Sequence, residues 1–236
     1  MASERGVALK PARLNVENQI PLARGLGSSS AAIIAGISLY EVLSGETLLE
    51  DDFFRYALHF EAHGDNLGPA RLGGLVVVCT TNATLIVLKR TWPEKVKIVV
   101  VVPELELETK KMREAIPKLV EAEDAVFNLQ RAALFQAAIS EGRFELIQEA
   151  MRDRLHQPFR ASLAPPLAEV LELNNHVREI DGLLGVSISG AGSTMIALAL
   201  DNASEIGKRM QVPFNSLGIP SRVMELDVDN EGRRLI

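Results

Sequence analysis

The sequence predicts an α+β fold in which helices cover one face of an antiparallel sheet. The main observation is the order of elements over residues 185–229, which read as strand, strand, helix and strand. A continuous apolar run over 95–103 predicts a further strand that is buried on both faces. The third observation is the composition: 47% of the residues are hydrophobic but only 5% are aromatic, so the core is expected to consist mostly of Ala, Leu, Val and Ile.

The first part of the chain is predicted to contain a strand, two helices and a pair of strands. Residues 8–20 read as a strand that leads into a glycine-rich loop. A helix over 28–43 is predicted to stop at Gly45, and a second, amphipathic helix covers 50–62. Residues 73–90 read as two strands around a Thr-Thr-Asn-Ala turn. The predicted buried stripe of the second helix consists of Phe53, Phe54, Ala57, Leu58 and Ala62.

Helices predominate in the middle of the chain and alternate with strands at its end. The predicted helices cover 109–119, 123–140, 143–156 and 166–180. The predicted last elements are strands over 185–190 and 194–200, a helix over 203–217 and a strand over 221–229. The polar segment Lys-Arg-Thr-Trp-Pro-Glu suggests a boundary, so we expect domains over 1–94 and 95–236.

Composition and charge limit the location and the partners of the protein. The formal net charge of −6 argues against a general nucleic-acid binder, which would carry a basic excess. Cys79 is the only cysteine, which suits a reducing compartment, and we expect it to be a small buried side chain. We find neither a signal peptide nor an apolar run of membrane-spanning length. We therefore expect a cytoplasmic protein that binds neither nucleic acid nor a membrane.

Residues 21–32, PLARGLGSSSAA, place two glycines and three serines directly before a helix. One interpretation is structural, with Ser28 or Ser29 as the N-cap of that helix. The other is chemical, because glycines let an anion approach the backbone N–H groups at a helix N-terminus. The segment is not a Walker A motif, since no lysine follows Gly27, and it lacks the third glycine of a dinucleotide fingerprint. The residues alone leave both interpretations open.

Three segments in order carry a resemblance to a known family. PLARGLGSSSAA, EAHGDNLGPARLGG and GVSISGAGSTMIAL resemble the second motif, the middle substrate segment and the third motif of the GHMP small-molecule kinases. DAVFNLQRAAL and MRDRLHQPFRASLAP look like segments of the homoserine kinases within that superfamily. The resemblance extends from about Asn15 to about Asp227. It implies a two-domain α+β architecture with a ferredoxin-like C-terminal domain.

The resemblance also implies a reaction and a set of site residues. The reaction is the ATP- and Mg²⁺-dependent phosphorylation of the L-homoserine hydroxyl. Mg²⁺ would be held by Ser29 and Glu61, and the catalytic residues would be Asn66 and Arg160. An amide cannot act as a base, so Asn66 would serve positioning rather than proton transfer. The residues expected to contact the substrate are His63, Asp65, Arg160, Ser189 and Gly190. The residues expected to contact the ATP phosphates are Pro21, Leu22, Ala23, Arg24, Gly25, Leu26, Gly27, Ser28, Ser29, Ser30 and Ala31.

The sequence departs from the family pattern at its start. The family's first motif, of the type Pro-x-x-x-Asn-x-Gly-x-Gly-x-Asp, is not found, and the chain begins almost at the second motif. We therefore expect an N-terminal domain without its first strands and little or no turnover from these 236 residues. Two alternatives stay open: another small-molecule kinase of the superfamily, and an inactive truncated or regulatory family member. A homodimer is also allowed.

Overall fold

The chain folds into two compact units. The computed structural model describes residues 1–81, 84–105, 107, 112 and 114–235. The first unit consists of Met1–Pro21, Gly27–Trp92 and Asp229–Ile236, and the second of Leu22–Leu26 and Pro93–Val228. The predicted domains, 1–94 and 95–236, differ from these units at Leu22–Leu26 and at the C-terminal residues. The backbone of Gly25 packs against Ser189 of the second unit, and the Gly74 N–H donates to the carbonyl of Asp229 within the first.

The first unit packs short helices and a hairpin around an apolar core. Its helices and strands are α1 (Ser28–Ser44), α2 (Glu50–Leu58), α3 (Leu67–Leu72), β1 (Leu75–Thr80) and β2 (Leu85–Arg90). Helix α1 stops at Gly45, which has a φ of 75°, as predicted. The core includes Phe53 and Phe54 from α2 and Leu67 from α3. β1 and β2 are antiparallel, which confirms the predicted hairpin, whose turn residues Asn82 and Ala83 lie outside the described part of the chain.

Two predictions for the first unit are wrong, one in the presence of a strand and one in the end of a helix. Residues 8–20 form no strand, and Leu14 and Val16 within them are exposed. A strand depends on a hydrogen-bonded neighbour, which a local pattern cannot supply. Helix α2 ends at Leu58 rather than at residue 62, and Ala62 of the predicted stripe is exposed. No apolar face continues beyond Leu58 that would reward another helical turn.

Cys79 is exposed, so the prediction that it is buried is wrong. It lies on β1 opposite Ile86 of β2, on the same face as Val77 and Leu88. In the described part of the chain this face of the hairpin is exposed at all four positions. The apolar run around Cys79 predicted a buried side chain, whereas the hairpin is covered on only one face.

The second unit contains a four-stranded antiparallel sheet in the described residues. Its strands are β3 (Lys97–Pro103), β4 (Leu183–Ile188), β5 (Met195–Ala199) and β6 (Ser221–Leu226). Their spatial order is β4-β5-β3-β6, which gives the β-α-β-β-α-β connection of a ferredoxin-like unit. β3 is central, and Val99, Val100, Val101 and Val102 are all buried, which confirms a strand covered on both faces. The predicted strand-strand-helix-strand order is therefore confirmed.

Helices of the second unit connect its strands, and several of them pack on the sheet. They are α4 (Ala122–Glu141), α5 (Ile147–Ala150), α6 (Gln157–Ala161), α7 (Pro165–Leu171) and α8 (Ala203–Ser216), with 3₁₀ turns at Phe144–Leu146 and Glu172–Glu179. Ile206, Met210 and Phe214 of α8 are buried in the main core. In the described residues no helix is both long and apolar enough to cross a membrane.

The predicted helix over 143–156 is wrong beyond Ala150. After α5 the chain is irregular until α6 begins at Gln157. The Asp153 carboxylate accepts the backbone N–H groups of Leu155, His156 and Gln157, which offers those groups an alternative to helical bonds. The helix predicted over 109–119 lies partly outside the described residues, and residues 115–119 are not helical.

Candidate functional site

The second half of the glycine-serine segment opens α1 without a side-chain cap. Gly27 is the N-cap, with a φ of 73°, and in the described part of the chain no side chain bonds to this helix end. The Ala31 N–H donates to the Gly27 carbonyl at 3.0 Å and closes the first helical turn. The N–H groups of Ser28, Ser29 and Ser30 precede that bond and have no acceptor within the helix. The interpretation of Ser28 or Ser29 as a simple N-cap is therefore wrong.

Glu61 and Asn66 lie beside this helix end in the first unit. The Ser30 hydroxyl donates to Glu61 Oε2 at 2.9 Å, and Ser30 is 1% exposed. Ser29, which the resemblance pairs with Glu61 at Mg²⁺, is exposed on the same turn. A Cβ placed on Gly27 would lie 3.5 Å from Asn66 Oδ1, so the Asn66 amide borders the loop. The fold thus brings the glycine loop, one carboxylate and one amide together.

His63 and Asp65 belong to the exposed segment between α2 and α3. Asp65 accepts the N–H of Asn66 at 3.1 Å. Both His63 and Asp65 are exposed, so their side chains are accessible to a ligand. The described contacts do not bring either side chain to another predicted site residue except Asn66.

The first half of the segment packs on the β4–β5 turn of the second unit. The Ser189 hydroxyl donates to the Gly25 carbonyl at 2.8 Å, and the Thr194 N–H donates to the Arg24 carbonyl at 3.2 Å. Gly25 has a φ of 78°, and a Cβ on it would lie 2.1 Å from the Ser189 carbonyl oxygen. Glycine at 25 is therefore required by the close approach of two backbones.

Arg160 joins the same turn from α6. Its side chain is buried, its Nε donates to the Met112 carbonyl at 3.2 Å, and its Nη1 donates to the Gly190 carbonyl. The structure thus brings Arg160, Ser189, Gly190 and Gly25 together within the second unit. The role of Arg160 in binding a substrate carboxylate stays a prediction.

The two segments that indicated homoserine kinases also contact each other. Asn128 of α4 donates from Nδ2 to Asp153 Oδ1 at 2.5 Å, and its Oδ1 accepts the Arg154 N–H at 2.9 Å. Arg131 and Arg154 stack on the ring of Phe127, with guanidinium carbons 3.1 and 4.0 Å from its centroid. These contacts fasten the irregular segment before α6 to the long helix α4.

Two family models and several homoserine kinases are similar to this chain. The model of the GHMP kinases N terminal domain matches residues 1–74, and the GHMP kinases C terminal model matches residues 135–215. A homoserine kinase from Persephonella marina is 42% identical over 231 residues, which cover 98% of this chain and 76% of that protein. The chain belongs to the homoserine kinase family.

Further members of the homoserine kinase family extend the comparison. The homoserine kinase from Aquifex aeolicus is 40% identical over 224 residues, covering 94% of this chain and 74% of that protein. The crystal structure of homoserine kinase from Cytophaga hutchinsonii superimposes with a TM-score of 0.82 at 30% identity, covering 91% of this chain and 69% of that one. The α+β GHMP kinase fold is therefore confirmed, and the chain spans about three quarters of the curated relatives named here.

The residues beside α1 suit Mg²⁺. The described residues contain no cluster of three His, Cys, Asp or Glu side chains that could hold a metal ion. Mg²⁺ in phosphate-transfer sites takes one or two protein carboxylates and keeps water and phosphate oxygens as its other ligands. The hydroxyls of the first turn and the Glu61 carboxylate are hard oxygen donors of that kind. The donor set therefore fits a magnesium ion held jointly with a nucleotide.

Sequence reasoning missed several residues that build this site. Ser30 is the partner of Glu61, and Asp153 and Gln157 shape the start of α6. An acidic residue shortly before a helix with proline in its first turn is a start signal that could have indicated Asp153. No local signal could have indicated the contact between Gln157 and β4, since its partner Ile188 is 31 residues away.

Proposed function

We propose that this chain transfers the γ-phosphoryl group of ATP to the side-chain hydroxyl of L-homoserine, which yields ADP and O-phospho-L-homoserine for threonine biosynthesis. The observation that carries the proposal is the uncapped first turn of α1, with Glu61 and Asn66 beside it, in a chain of the homoserine kinase family. Turnover with homoserine would overturn the expectation, drawn from the missing first motif, of little or no turnover from these residues. The absence of turnover, or another preferred alcohol substrate, would overturn the proposal.

The segment Pro21–Ala31 binds the ATP phosphates in this proposal. The N–H groups of Ser28, Ser29 and Ser30 are donors without a helical acceptor, and the helix dipole adds partial positive charge at the same point. Fixed donors of this kind stabilise the charge that develops on the transferring phosphoryl group. The proposal is supported by the absence of a side-chain cap in the described part of the chain.

Ser29 and Glu61 hold Mg²⁺ in the proposal. The ion that these residues would hold would supply positive charge to offset the negative charge of the ATP phosphates. The hydrogen bond from Ser30 restrains one oxygen of the Glu61 carboxylate, which limits the orientations that the carboxylate can adopt. Ser30 therefore helps to orient Glu61, the proposed metal ligand.

Homoserine carries an ammonium, a carboxylate and a hydroxyl, and the proposal assigns a residue to each charge. Asp65 pairs with the ammonium and Arg160 with the carboxylate, while His63, Ser189 and Gly190 line the site. The hydroxyl oxygen bonds to the γ-phosphorus as the bond to the bridging oxygen of ADP breaks, and the hydroxyl proton passes to water. Asn66 cannot accept that proton, so it contributes by orienting the reacting groups.

The role of Arg160 is tested with a substrate that lacks the carboxylate. Wild-type protein should favour homoserine over 3-aminopropan-1-ol, and Arg160→Ala should lower homoserine affinity about 30-fold or more while changing the amino alcohol little. Arg160→Lys should not restore the affinity fully, because lysine lacks the planar fork. Arg152→Ala is the matched control, since Arg152 is a half-exposed arginine of the same segment that pairs with Glu149. Equal losses of affinity for the two substrates would show that Arg160 does not bind the carboxylate and acts only by holding the carbonyl groups of Met112 and Gly190.

The reaction itself is tested by ADP release with homoserine, followed by mass spectrometry of the product. We expect release that depends on homoserine and Mg²⁺ and a product that is heavier by one phosphoryl group. ATP consumption without phosphohomoserine, or faster phosphorylation of another small alcohol, would contradict the proposal.

We further propose a cytoplasmic location and a homodimer, which cell fractionation and sedimentation would test.

A further inference from the structure

The outer edge of β4 is completed by side-chain amides. β4 is an edge strand of the four-stranded sheet in the described residues. Asn174 accepts the Val186 N–H at 2.7 Å and donates to the Val186 carbonyl at 2.8 Å. Two residues further along, Gln157 Oε1 accepts the Ile188 N–H at 3.0 Å. Residues two apart on a strand direct their backbone groups to the same side, so these two amides act as the missing neighbouring strand.

Gln157 is held in place from both ends of its amide. Its Nε2 donates to the Met151 carbonyl at 3.2 Å, and its side chain is buried at the start of α6. The Asp153 carboxylate accepts the backbone N–H groups of residues 155–157 and fixes this helix start. The amide oxygen of Gln157 is therefore presented to Ile188 by a rigid support.

The Ile188 N–H lies one residue before the turn that supports the glycine loop. Ser189 donates from its hydroxyl to the Gly25 carbonyl at 2.8 Å, and its N–H donates to the Thr194 carbonyl at 2.9 Å. The Ser189 carbonyl oxygen is so close to Gly25 that it would lie 2.1 Å from a Cβ there. A shift of Ile188 would therefore displace Ser189 and the backbone of Gly25 with it.

We propose that Gln157 is a positioning residue for nucleotide binding, which acts by fixing Ile188 and Ser189 and hence the backbone of Gly25. The inference rests on the proposed function, because it assumes that the segment Pro21–Ala31, of which Gly25 is part, binds the ATP phosphates. Asn174 makes two hydrogen bonds of the same kind on the same strand edge, but it holds Val186, which is further from the turn. Gln157 and Asn174 should therefore contribute similarly to stability, but only Gln157 should contribute to ATP binding.

Three variants separate these contributions. Gln157→Met keeps the size of the side chain and removes both hydrogen bonds. Asn174→Leu does the same at the control position. Gln157→Glu keeps an acceptor for the Ile188 N–H but loses the donor to Met151, so it should rescue ATP binding even if it lowers stability.

The experiment measures ATP affinity by calorimetry, stability by urea unfolding, and the KM for ATP together with kcat on the full chain. We expect both isosteric variants to unfold at lower urea, and Gln157→Met alone to weaken ATP binding about five- to tenfold, the effect of one neutral hydrogen bond. Its KM for ATP should rise with kcat within about twofold, and Gln157→Glu should recover most of the affinity. Equal ATP affinities for Gln157→Met and Asn174→Leu, or no rescue by Gln157→Glu, would overturn the inference. Wild-type protein that binds no ATP would instead overturn the proposed function.

Discussion

The two halves of the glycine-serine segment need glycine for different physical reasons. At Gly25 the carbonyl of Ser189 occupies the space where a Cβ would lie, 2.1 Å away. At Gly27 the φ of 73° is the constraint, because the nearest atom to a Cβ would be Asn66 Oδ1 at an ordinary 3.5 Å. The first half is therefore a packed support, whereas the second half exposes backbone donors at the start of α1. A family motif that reads as one loop thus contains a part fixed by backbone packing and a part whose backbone N–H groups have no acceptor within the helix.

The largest expected effect is that of Gly25→Ala. The left-handed backbone costs about 1–2 kcal/mol for a residue with a Cβ, and forced overpacking adds about 1–3 kcal/mol. Gly142→Ala is the control, since Gly142 ends α4 with a φ of 66° and a Cβ there meets no atom within 4 Å. We expect urea unfolding to show a clearly larger loss for Gly25→Ala. Equal losses would mean that the close approach to Ser189 relaxes without cost.

Substitutions of Ser29 and Ser30 in the second half should differ in their effects on stability and on the Mg²⁺ dependence of activity. Ser30→Ala removes a buried hydrogen bond to the Glu61 carboxylate, which costs about 1.5–3 kcal/mol. Ser29→Ala changes an exposed residue and should stay within about 0.5 kcal/mol. If Ser29 holds Mg²⁺, its variant should raise the Mg²⁺ concentration needed for half-maximal activity. The reverse pattern would assign the metal to Ser30.

A substitution beside the first half should have the opposite sign. The Thr194 hydroxyl is fully buried and finds no hydrogen-bond partner in the described part of the chain. Thr194→Val keeps the shape and removes this unsatisfied group, so it should raise the free energy of unfolding by about 1 kcal/mol. Thermal unfolding would detect the change. A loss of stability would show that the hydroxyl has a partner that these contacts do not include.

The smallest expected effect on stability is that of substituting Asp229. This residue lies outside both halves of the segment and serves as a reference for how stability falls with pH. The N–H of Glu231 at 2.8 Å, and then Arg234, lower the pKa of the Asp229 carboxyl. Its stabilisation is therefore present above the unfolded pKa of about 3.9 and is lost as pH falls through the lower folded pKa. Because the side chain is half-exposed, Asp229→Asn should cost at most about 0.5 kcal/mol at pH 7 and progressively less as pH falls through the folded pKa. A constant difference in the urea midpoint at all pH values would contradict this linkage.

The sequence predicted the elements that follow from local patterns and missed those that depend on distant partners. Strand β3 was recognisable because a run of valines is explained only by burial on both faces. The strand expected over 8–20 and the helix expected over 143–156 failed because neighbours in space decide those segments, such as the Asp153 carboxylate before α6.

The candidate site divides in the same way. The glycine segment was singled out from its own residues, and Glu61 and Asn66 were predicted from the family resemblance. The hydrogen bonds of Ser30 with Glu61 and of Gln157 with Ile188 join residues 31 apart, and only the fold reveals them.

The central claim is that the second half of the segment binds the ATP phosphates. Calorimetric titration of ATP into wild type, Gly27→Ala and Gly45→Ala tests it most directly. Gly27 and Gly45 lie at the two ends of α1 and have nearly the same φ, 73° and 75°. A Cβ at Gly45 would meet no atom within 4 Å. The two variants should therefore lose similar stability, about 1–2 kcal/mol. We predict that only Gly27→Ala weakens ATP binding, by about tenfold or more. Equal ATP affinity for the two folded variants would contradict the claim.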